Sequence, residues 1–273
     1  VLASGAHVKR LATGFFNISG AAVNAEGRLY FVDAHWQRIY RWSPENQEAV
    51  IVRDNPLDPV NLAFDKAGDL LVVAYGGKGT VYSLRPDAPE DQMAMLAPEP
   101  AAPQPGMTAL LPIDVWAKRN LSGETRWQYV SPDGSVFLPA GDDFAQGELY
   151  YGTKMANVLR AFALGKVVEG HPFYISDESD EKTFRVAVTP EGSIGSADLF
   201  AERGGESVAQ DTDGNVYIAA GQILVYRPDG QLRGRIDVPE RPIDLVFGGP
   251  DRRTLYILTH QSLYAVTTQI PGL

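Results

Sequence analysis

One phrase of strand, turn and strand recurs along this chain, and it limits the possible folds more than any other feature. Each copy has a short apolar stretch, a polar turn and a second run rich in β-forming residues. The first copy spans 22–32, and others begin at Leu62, Tyr129, Ser207 and Asp244, with a looser one at Arg160. The second strands begin at Leu29, Leu70, Val136, Phe173, Val216 and Leu255, which lie 37 to 43 residues apart except for one gap of 66. A period of this length predicts a repeat architecture.

A third strand follows each pair, as at Arg38–Trp42 and Gln222–Tyr226, and a more variable fourth strand often comes next. Four strands per roughly 40 to 45 residues is typical of a β-propeller blade. We therefore predict an all-β protein, one domain over 1–273, folded as a six-bladed β-propeller of four-stranded antiparallel blades. A strand within His7–Thr13 is expected to pair with the last blade, because an open ring would leave unprotected edges.

The widest gap between markers contains an irregular stretch from about Asp87 to Arg126, and it is rich in proline and alanine. Proline lacks the amide that a central strand needs. We interpret this stretch as an insertion between the second and third blades. Long loops in compact domains are usually functional or disordered, so we expect it to cover part of the channel mouth as a lid.

Composition excludes several classes of protein. The 273 residues include no Cys and four His without the HExxH spacing, which removes disulfides, thiolate nucleophiles and most zinc sites. A net charge of −10 disfavours nucleic acid, and no apolar run approaches the length of a membrane span. We expect a soluble protein whose partner is a small molecule or a carbohydrate. Its compartment stays open, with an extracytoplasmic one favoured.

Candidate site residues follow from the predicted topology. In a propeller, the loops that lead into the innermost strands and those that join second to third strands surround one channel mouth. The polar or aromatic residues there that we assign to substrate binding are Trp36, Asn61, Tyr75, Asp114, Asp244 and His260. Those that we assign to catalysis are Asp177, Glu178, Arg126, Lys154 and His35. Taken singly, an Asn or Asp at a strand start is also a common turn former, and a loop histidine is often simply solvated.

Several segments resemble the SMP-30/gluconolactonase family. They include the closing stretch from Tyr226 through Pro-Ile-Asp-Leu-Val-Phe-Gly-Gly, the phrase Gly27-Arg-Leu-Tyr-Phe-Val-Asp, and Thr189-Pro-Glu-Gly-Ser-Ile-Gly. The resemblance covers most of the chain and is weakest from about 87 to 170. It implies a six-bladed propeller, a divalent cation, most often calcium, on the channel axis, and hydrolysis of sugar lactones.

The resemblance also implies where the cation ligands lie, and this chain departs from the family there. Ser19 stands where the family has its first ligand, a Glu. Glu206 stands where the family has an Asp later in the sequence, and Asn157 is the nearest match to the family's Asn. A hard cation prefers several anionic or carbonyl oxygens. Glu206, Asn157 and Ser19 are therefore the predicted metal ligands of a weakened site.

Three hypotheses remain open at this point. We favour a metal-assisted hydrolase of a sugar lactone or related carbohydrate ester, in which Asp177 or Glu178 activates water. The second is a metal-independent enzyme that acts on an anionic carbohydrate through Arg126, Lys154, His35 or Tyr75. The third is a non-catalytic carbohydrate- or protein-binding propeller, one module of a longer chain.

Overall fold

The structure of this protein is a computed structural model. Its regular structure consists mainly of antiparallel four-stranded sheets. It describes residues 1–56, 59–64, 68–74, 81–89, 93–97, 117–119, 125–126, 162–164, 171–177, 181–188 and 194–273. Five four-stranded sheets, A to E, and one two-stranded sheet lie within these ranges.

Each sheet is formed by strands in chain order. Sheet A consists of β2 (Ile18–Val23), β3 (Leu29–Asp33), β4 (Arg38–Ser43) and β5 (Glu48–Asp54), and sheet B of β6 (Pro59–Phe64), β7 (Leu70–Ala74), β8 (Val81–Leu84) and β9 (Met93–Ala97). The two-stranded sheet pairs β10 (Ala117–Arg119) with β11 (Thr125–Arg126). Sheet C consists of β12 (Phe162–Leu164), β13 (Phe173–Asp177), β14 (Lys182–Val188) and β15 (Ile194–Ala201). Sheet D consists of β16 (Ser207–Gln210), β17 (Val216–Ala220), β18 (Gln222–Tyr226) and β19 (Leu232–Ile236).

Sheet E takes its fourth strand from the other end of the chain. It consists of β20 (Asp244–Gly248), β21 (Thr254–Leu258) and β22 (Ser262–Thr267), and β1 (Lys9–Thr13) pairs with β22 as the outermost strand. Arg10 lies opposite Tyr264 in this pairing. The predicted exchange of an N-terminal strand into the last sheet is confirmed.

The second strands of sheets A, D and E are mainly apolar because both of their faces are covered. All five residues of β3 are buried, as are four of the five in β17 and in β21. The predicted second strands coincide with β3, β7, β13, β17 and β21. The prediction at Val136–Leu138 lies outside the described residues, so the count of six blades stays a prediction.

A separate apolar core fills the space between each pair of neighbouring sheets. Tyr30, Leu62 and Leu70 belong to the core between sheets A and B, and Phe31 and Leu258 to the core between A and E. The core between sheets D and E contains Tyr217, Phe247 and Ile257. The core between sheets C and D contains Tyr174 and Ile218. The described sheets therefore follow one another in the order B, A, E, D, C.

The polar turns of the repeat phrase close the hairpins between first and second strands. The Arg28 amide donates to Asn24 Oδ1 at 2.8 Å, and Asn215 makes the same contact with Asp211 Oδ1 at 2.9 Å. Gly27 and Gly214, three residues after the Asn and the Asp, have φ values of 82° and 79°. These positive angles explain why glycine recurs at this place in the repeat.

Most of the predicted insertion between Asp87 and Arg126 lies outside the described residues. The part that is described includes Met93–Ala97, which is the fourth strand of sheet B, and the strands β10 and β11. Met93–Ala97 is thus regular structure within the predicted insertion, whose bounds stay a prediction. None of the described residues forms a helix long and apolar enough to cross a membrane.

Candidate functional site

The first strands of sheets A, B, D and E carry one equivalent position at which the sheets are joined. Gly20, Asn61 and Ser207 each lie opposite the fourth residue of the second strand of their sheet, and Asp244 lies opposite the last residue of β21. A Cβ on Gly20 would lie 2.2 Å from Asn61 Oδ1, so the first strands of A and B are in close contact there. We call these four residues the junction layer.

Asp244 is the residue of the junction layer with the most partners. Its Oδ1 accepts from the Ser207 hydroxyl at 2.7 Å and from the Leu245 amide at 2.9 Å, and its Oδ2 accepts from the Ala21 amide at 2.9 Å. Burial raises the pKa of the Asp244 carboxyl, and these hydrogen bonds offset part of the rise. The carboxylate thus joins sheets D, E and A, and Asn61 accepts the Leu62 amide at 2.8 Å in a similar way. Substrate binding by Asp244 and Asn61 stays a prediction.

One residue before the junction layer, the equivalent positions are taken by Ser19 in sheet A and Glu206 in sheet D. The register of sheet A shifts between Ile18 and Gly20, which places Ser19 in a β-bulge. Glu206 is fixed by its amide, which donates to Ala219 O at 2.8 Å. Gly205 before it lies so close to sheet D that a Cβ would come 1.6 Å from the same oxygen. Two predicted metal ligands therefore occupy equivalent places in different sheets.

The carboxylate of Glu206 is paired with Arg241. Both Nε and Nη2 of the guanidinium lie 3.1 Å from Glu206 Oε1. The Glu206 side chain is 16% exposed and that of Arg241 is 54% exposed. Arg241 precedes β20, the first strand of sheet E, which lies between the sheets of Ser19 and Glu206.

A cluster of hydroxyl groups fixes the residue beside Arg241. The Glu240 carboxylate accepts from Thr259 at 2.5 Å, from Ser262 at 2.7 Å and from Tyr264 at 2.8 Å. Burial raises the pKa of the Glu240 carboxyl, but the three hydroxyl donors outweigh burial and the pKa lies below its ordinary value. The segment that carries Arg241 is thereby anchored to the loop between β21 and β22.

Exposed aromatic rings lie on the same edge of sheet A as Ser19. His35 stacks on Phe16 with ring centroids 3.7 Å apart, and Trp36 meets Phe16 edge to face at 6.3 Å. Phe16 is 57% exposed and Trp36 is 52% exposed. Asp33, fully buried, accepts the backbone amides of all three residues, at 2.8 Å from Phe16, 3.1 Å from His35 and 3.3 Å from Trp36. We call Phe16, His35 and Trp36 the aromatic platform.

His260 extends this edge toward sheet E. Its Nδ1 lies 2.9 Å from Asn17 Oδ1, next to the platform residue Phe16. The structure therefore brings His35, Trp36 and His260, all predicted site residues, to one side of the sheets together with Ser19 and Glu206.

The other predicted site residues are not placed. Asp177 ends β13 and Arg126 ends β11, but only their backbones are described. Tyr75, Asp114, Lys154, Asn157 and Glu178 lie outside the described residues. Their roles stay predictions.

Part of this chain matches a known protein family. Residues 163–261, which run from β12 through sheet D to the loop after β21, match the family described as SMP-30/gluconolactonase/LRE-like region. The resemblance to this family that the sequence predicts is confirmed over these residues. A pentonolactonase of Haloferax volcanii is 24% identical over 255 residues, which is 86% of this chain and 78% of that protein.

Solved structures of a gluconolactonase and a regucalcin share the fold of this chain. A gluconolactonase of Xanthomonas campestris superposes with a TM-score of 0.69 at 17% identity, covering 99% of this chain and 91% of that one. A calcium-binding regucalcin of Agrobacterium tumefaciens gives a TM-score of 0.67 at 15% identity, covering 97% of this chain and 94% of that one. Likeness at these identities establishes the architecture and leaves the chemistry to the site.

The described donors fit a family-type calcium site poorly. Glu206 already contacts a guanidinium, and Ser19 offers a neutral hydroxyl where the family resemblance implies a carboxylate. Within the described part of the chain, no three acidic or histidine side chains come together as a metal site requires. Hard cations need several anionic or carbonyl oxygens, and these two side chains supply only one anion.

Sequence reasoning missed the partners that surround the predicted residues. Arg241 is the cation beside Glu206, and Phe16 is the ring beneath His35. A signal for Arg241 was present, because it lies three residues before Asp244 in the loop that precedes a first strand. Nothing in the sequence distinguished Phe16 from a core phenylalanine.

Proposed function

We propose that this protein hydrolyses a sugar lactone at the edge of the sheets where the first strands begin. The observation that carries the proposal is the burial of the Glu206 carboxylate, at a position where the family resemblance implies a metal ligand. The pentonolactonase relative supports a sugar lactone as the substrate class. We also propose that six blades close the ring and that Val136–Leu138 belongs to the third.

The reaction adds water to the acyl carbon of the lactone and breaks the ring C–O bond. The ring oxygen leaves as a hydroxyl group with one proton from the attacking water, and the product is the open-chain hydroxy acid. A site for this reaction must stabilise negative charge on the carbonyl oxygen and hold the sugar ring. In our proposal, Arg241 serves the first purpose, and the aromatic platform with His260 serves the second.

Family membership and local geometry favour different versions of this chemistry. The metal-assisted version would use Glu206, Asn157 and Ser19 to hold a divalent cation, which would polarise the carbonyl. The contact between Glu206 and Arg241 favours the metal-independent version, because it already neutralises the carboxylate. The aromatic platform would serve a non-catalytic carbohydrate-binding protein equally well, so catalysis has to be tested directly.

The test is hydrolysis of pentono- and hexonolactones by the purified chain, followed by acid release and corrected for spontaneous opening. We expect turnover by the wild type and its loss in Glu206→Gln, whereas Glu181→Gln should behave as the wild type. Glu181 is a suitable control because it also pairs with an arginine, Arg203, but at an exposed position. Lactone binding without turnover would favour the binding protein, and absence of both would contradict the proposal.

A further inference from the structure

We propose that the guanidinium of Arg241 takes the place of the family's divalent cation, so that this site carries its positive charge on a side chain. The inference rests on the proposed function for the location of the site. Its test measures cation binding rather than turnover, so the two can fail separately.

The carboxylate of Glu206 is largely buried. With 16% of its side chain exposed, the carboxylate has lost most of its water and needs a compensating charge. Arg241 supplies one through two nitrogens that converge on Oε1 at 3.1 Å. A calcium ion that binds Glu206 through Oε1 would have to displace this guanidinium.

The number of carboxylates at residues 19 and 206 determines which cation balances the charge of the site. A dication is suited to a site with two carboxylates, as the family resemblance implies for the positions of Ser19 and Glu206. In this chain one of the two is a serine, so Glu206 is the single anion of the pair and one monovalent cation neutralises it. The change at residue 19 and the arginine at residue 241 compensate each other.

Arg241 is held in place by the residues on either side of it in the chain. Glu240, its neighbour, is held by the hydroxyls of Thr259, Ser262 and Tyr264, and residue 242 is a proline with a fixed φ. Arg235 provides a contrast, because it and its partner Asp237 are 60% and 69% exposed. Arg241 is thus held beside a buried carboxylate, whereas Arg235 is an ordinary surface arginine.

The experiment titrates calcium into the protein by calorimetry. Four proteins are compared: the wild type, Ser19→Glu, Ser19→Glu with Arg241→Gln, and Ser19→Glu with Arg235→Gln. The last two lose the same charge, so a general electrostatic effect cancels between them. We expect the wild type to bind calcium no more tightly than about 1 mM, and removal of Arg241 to tighten binding at least about tenfold more than removal of Arg235 does. A fifth protein, Ser19→Glu with Arg241→Lys, keeps the charge and should resemble Ser19→Glu alone.

Two outcomes would overturn the inference. One is stoichiometric calcium binding by the wild type in the micromolar range, and the other is an equal effect of Arg241→Gln and Arg235→Gln. Thermal melting of each variant verifies that it is folded. If calcium affinity responds to Arg241 but no lactone is hydrolysed, the inference stands and the proposed function fails. If lactones are hydrolysed only with calcium bound to the wild type, the function stands and the inference fails.

Discussion

The hydroxyl of Ser207 donates a 2.7 Å hydrogen bond to Asp244 Oδ1, and this contact joins the first strands of sheets D and E. The other oxygen of the carboxylate accepts the Ala21 amide of sheet A at 2.9 Å. One side chain thus connects two consecutive sheets, D and E, with sheet A near the other end of the sequence. A carboxylate that the sequence assigns to substrate binding has a structural role as well.

Replacement of Asp244 by alanine should lower the free energy of unfolding by about 2 kcal/mol, because the buried Ala21 amide loses its acceptor, at roughly 1 to 3 kcal/mol, whereas the Leu245 amide keeps the Ser207 hydroxyl. Urea denaturation measures the change. Asp229→Ala is the matched control, since that carboxylate accepts one amide at an exposed turn. Equal effects of the two substitutions would show that the junction layer does not stabilise the fold.

Gly205 should not tolerate a side chain. A Cβ there would lie 1.6 Å from Ala219 O, a backbone atom that cannot move without sheet D. We expect Gly205→Ala to cost about 3 kcal/mol or to prevent folding. Gly234→Ala is the control, because nothing lies within 4 Å of its Cβ position, and we expect it to be neutral or slightly stabilising. Melting temperatures compare the two, and a similar loss in both would contradict the assigned cause.

The sequence predicted the fold well because its main signal is local. An apolar run of four or five residues after an Asn/Asp-x-x-Gly turn is sufficient to locate second strands such as β3 and β17. The same reasoning located β1, because an open sheet edge requires a partner. The strand at Met93–Ala97, inside the predicted insertion, was missed because it has no turn phrase of its own and pairs only as an outer strand.

The site was less predictable because its contacts cross between sheets. Glu206 and Ser19 were found from family phrases, whereas Arg241, Phe16 and Glu240 act through neighbours that local patterns cannot reveal. Arg241 is 35 residues from Glu206 and Glu240 is 24 residues from Tyr264. Only the assembled repeat brings such residues together.

The aromatic platform should contribute to sugar binding. We expect Trp36→Ala to raise KM for a lactone substrate about tenfold with little change in kcat, because an exposed ring lost from a binding surface affects substrate and transition state alike. Steady-state kinetics provides the measurement. Leu232→Ala, which removes an exposed apolar side chain (59%) from the outer strand of sheet D, should leave both constants unchanged. A fall in kcat without a change in KM would assign Trp36 to another role.

The hydroxyl cluster around Glu240 should make stability depend on acid pH. Burial raises the pKa of this carboxyl, but the hydrogen bonds from Thr259, Ser262 and Tyr264 lower it by more. The pKa in the folded protein therefore lies below the ordinary 4.5. A carboxyl whose pKa is lowered by folding stabilises the protein above its unfolded pKa, and this contribution is lost as the pH falls from about 4.5 through the folded value. In urea unfolding at a series of pH values, Glu240→Gln should therefore be less stable than the wild type at pH 7 and should lose less stability on acidification. Glu48→Gln, at an exposed strand start, serves as the control. Wild-type and Glu240→Gln curves that stay parallel between pH 7 and pH 3 would show that the three hydroxyls do not stabilise the charged form.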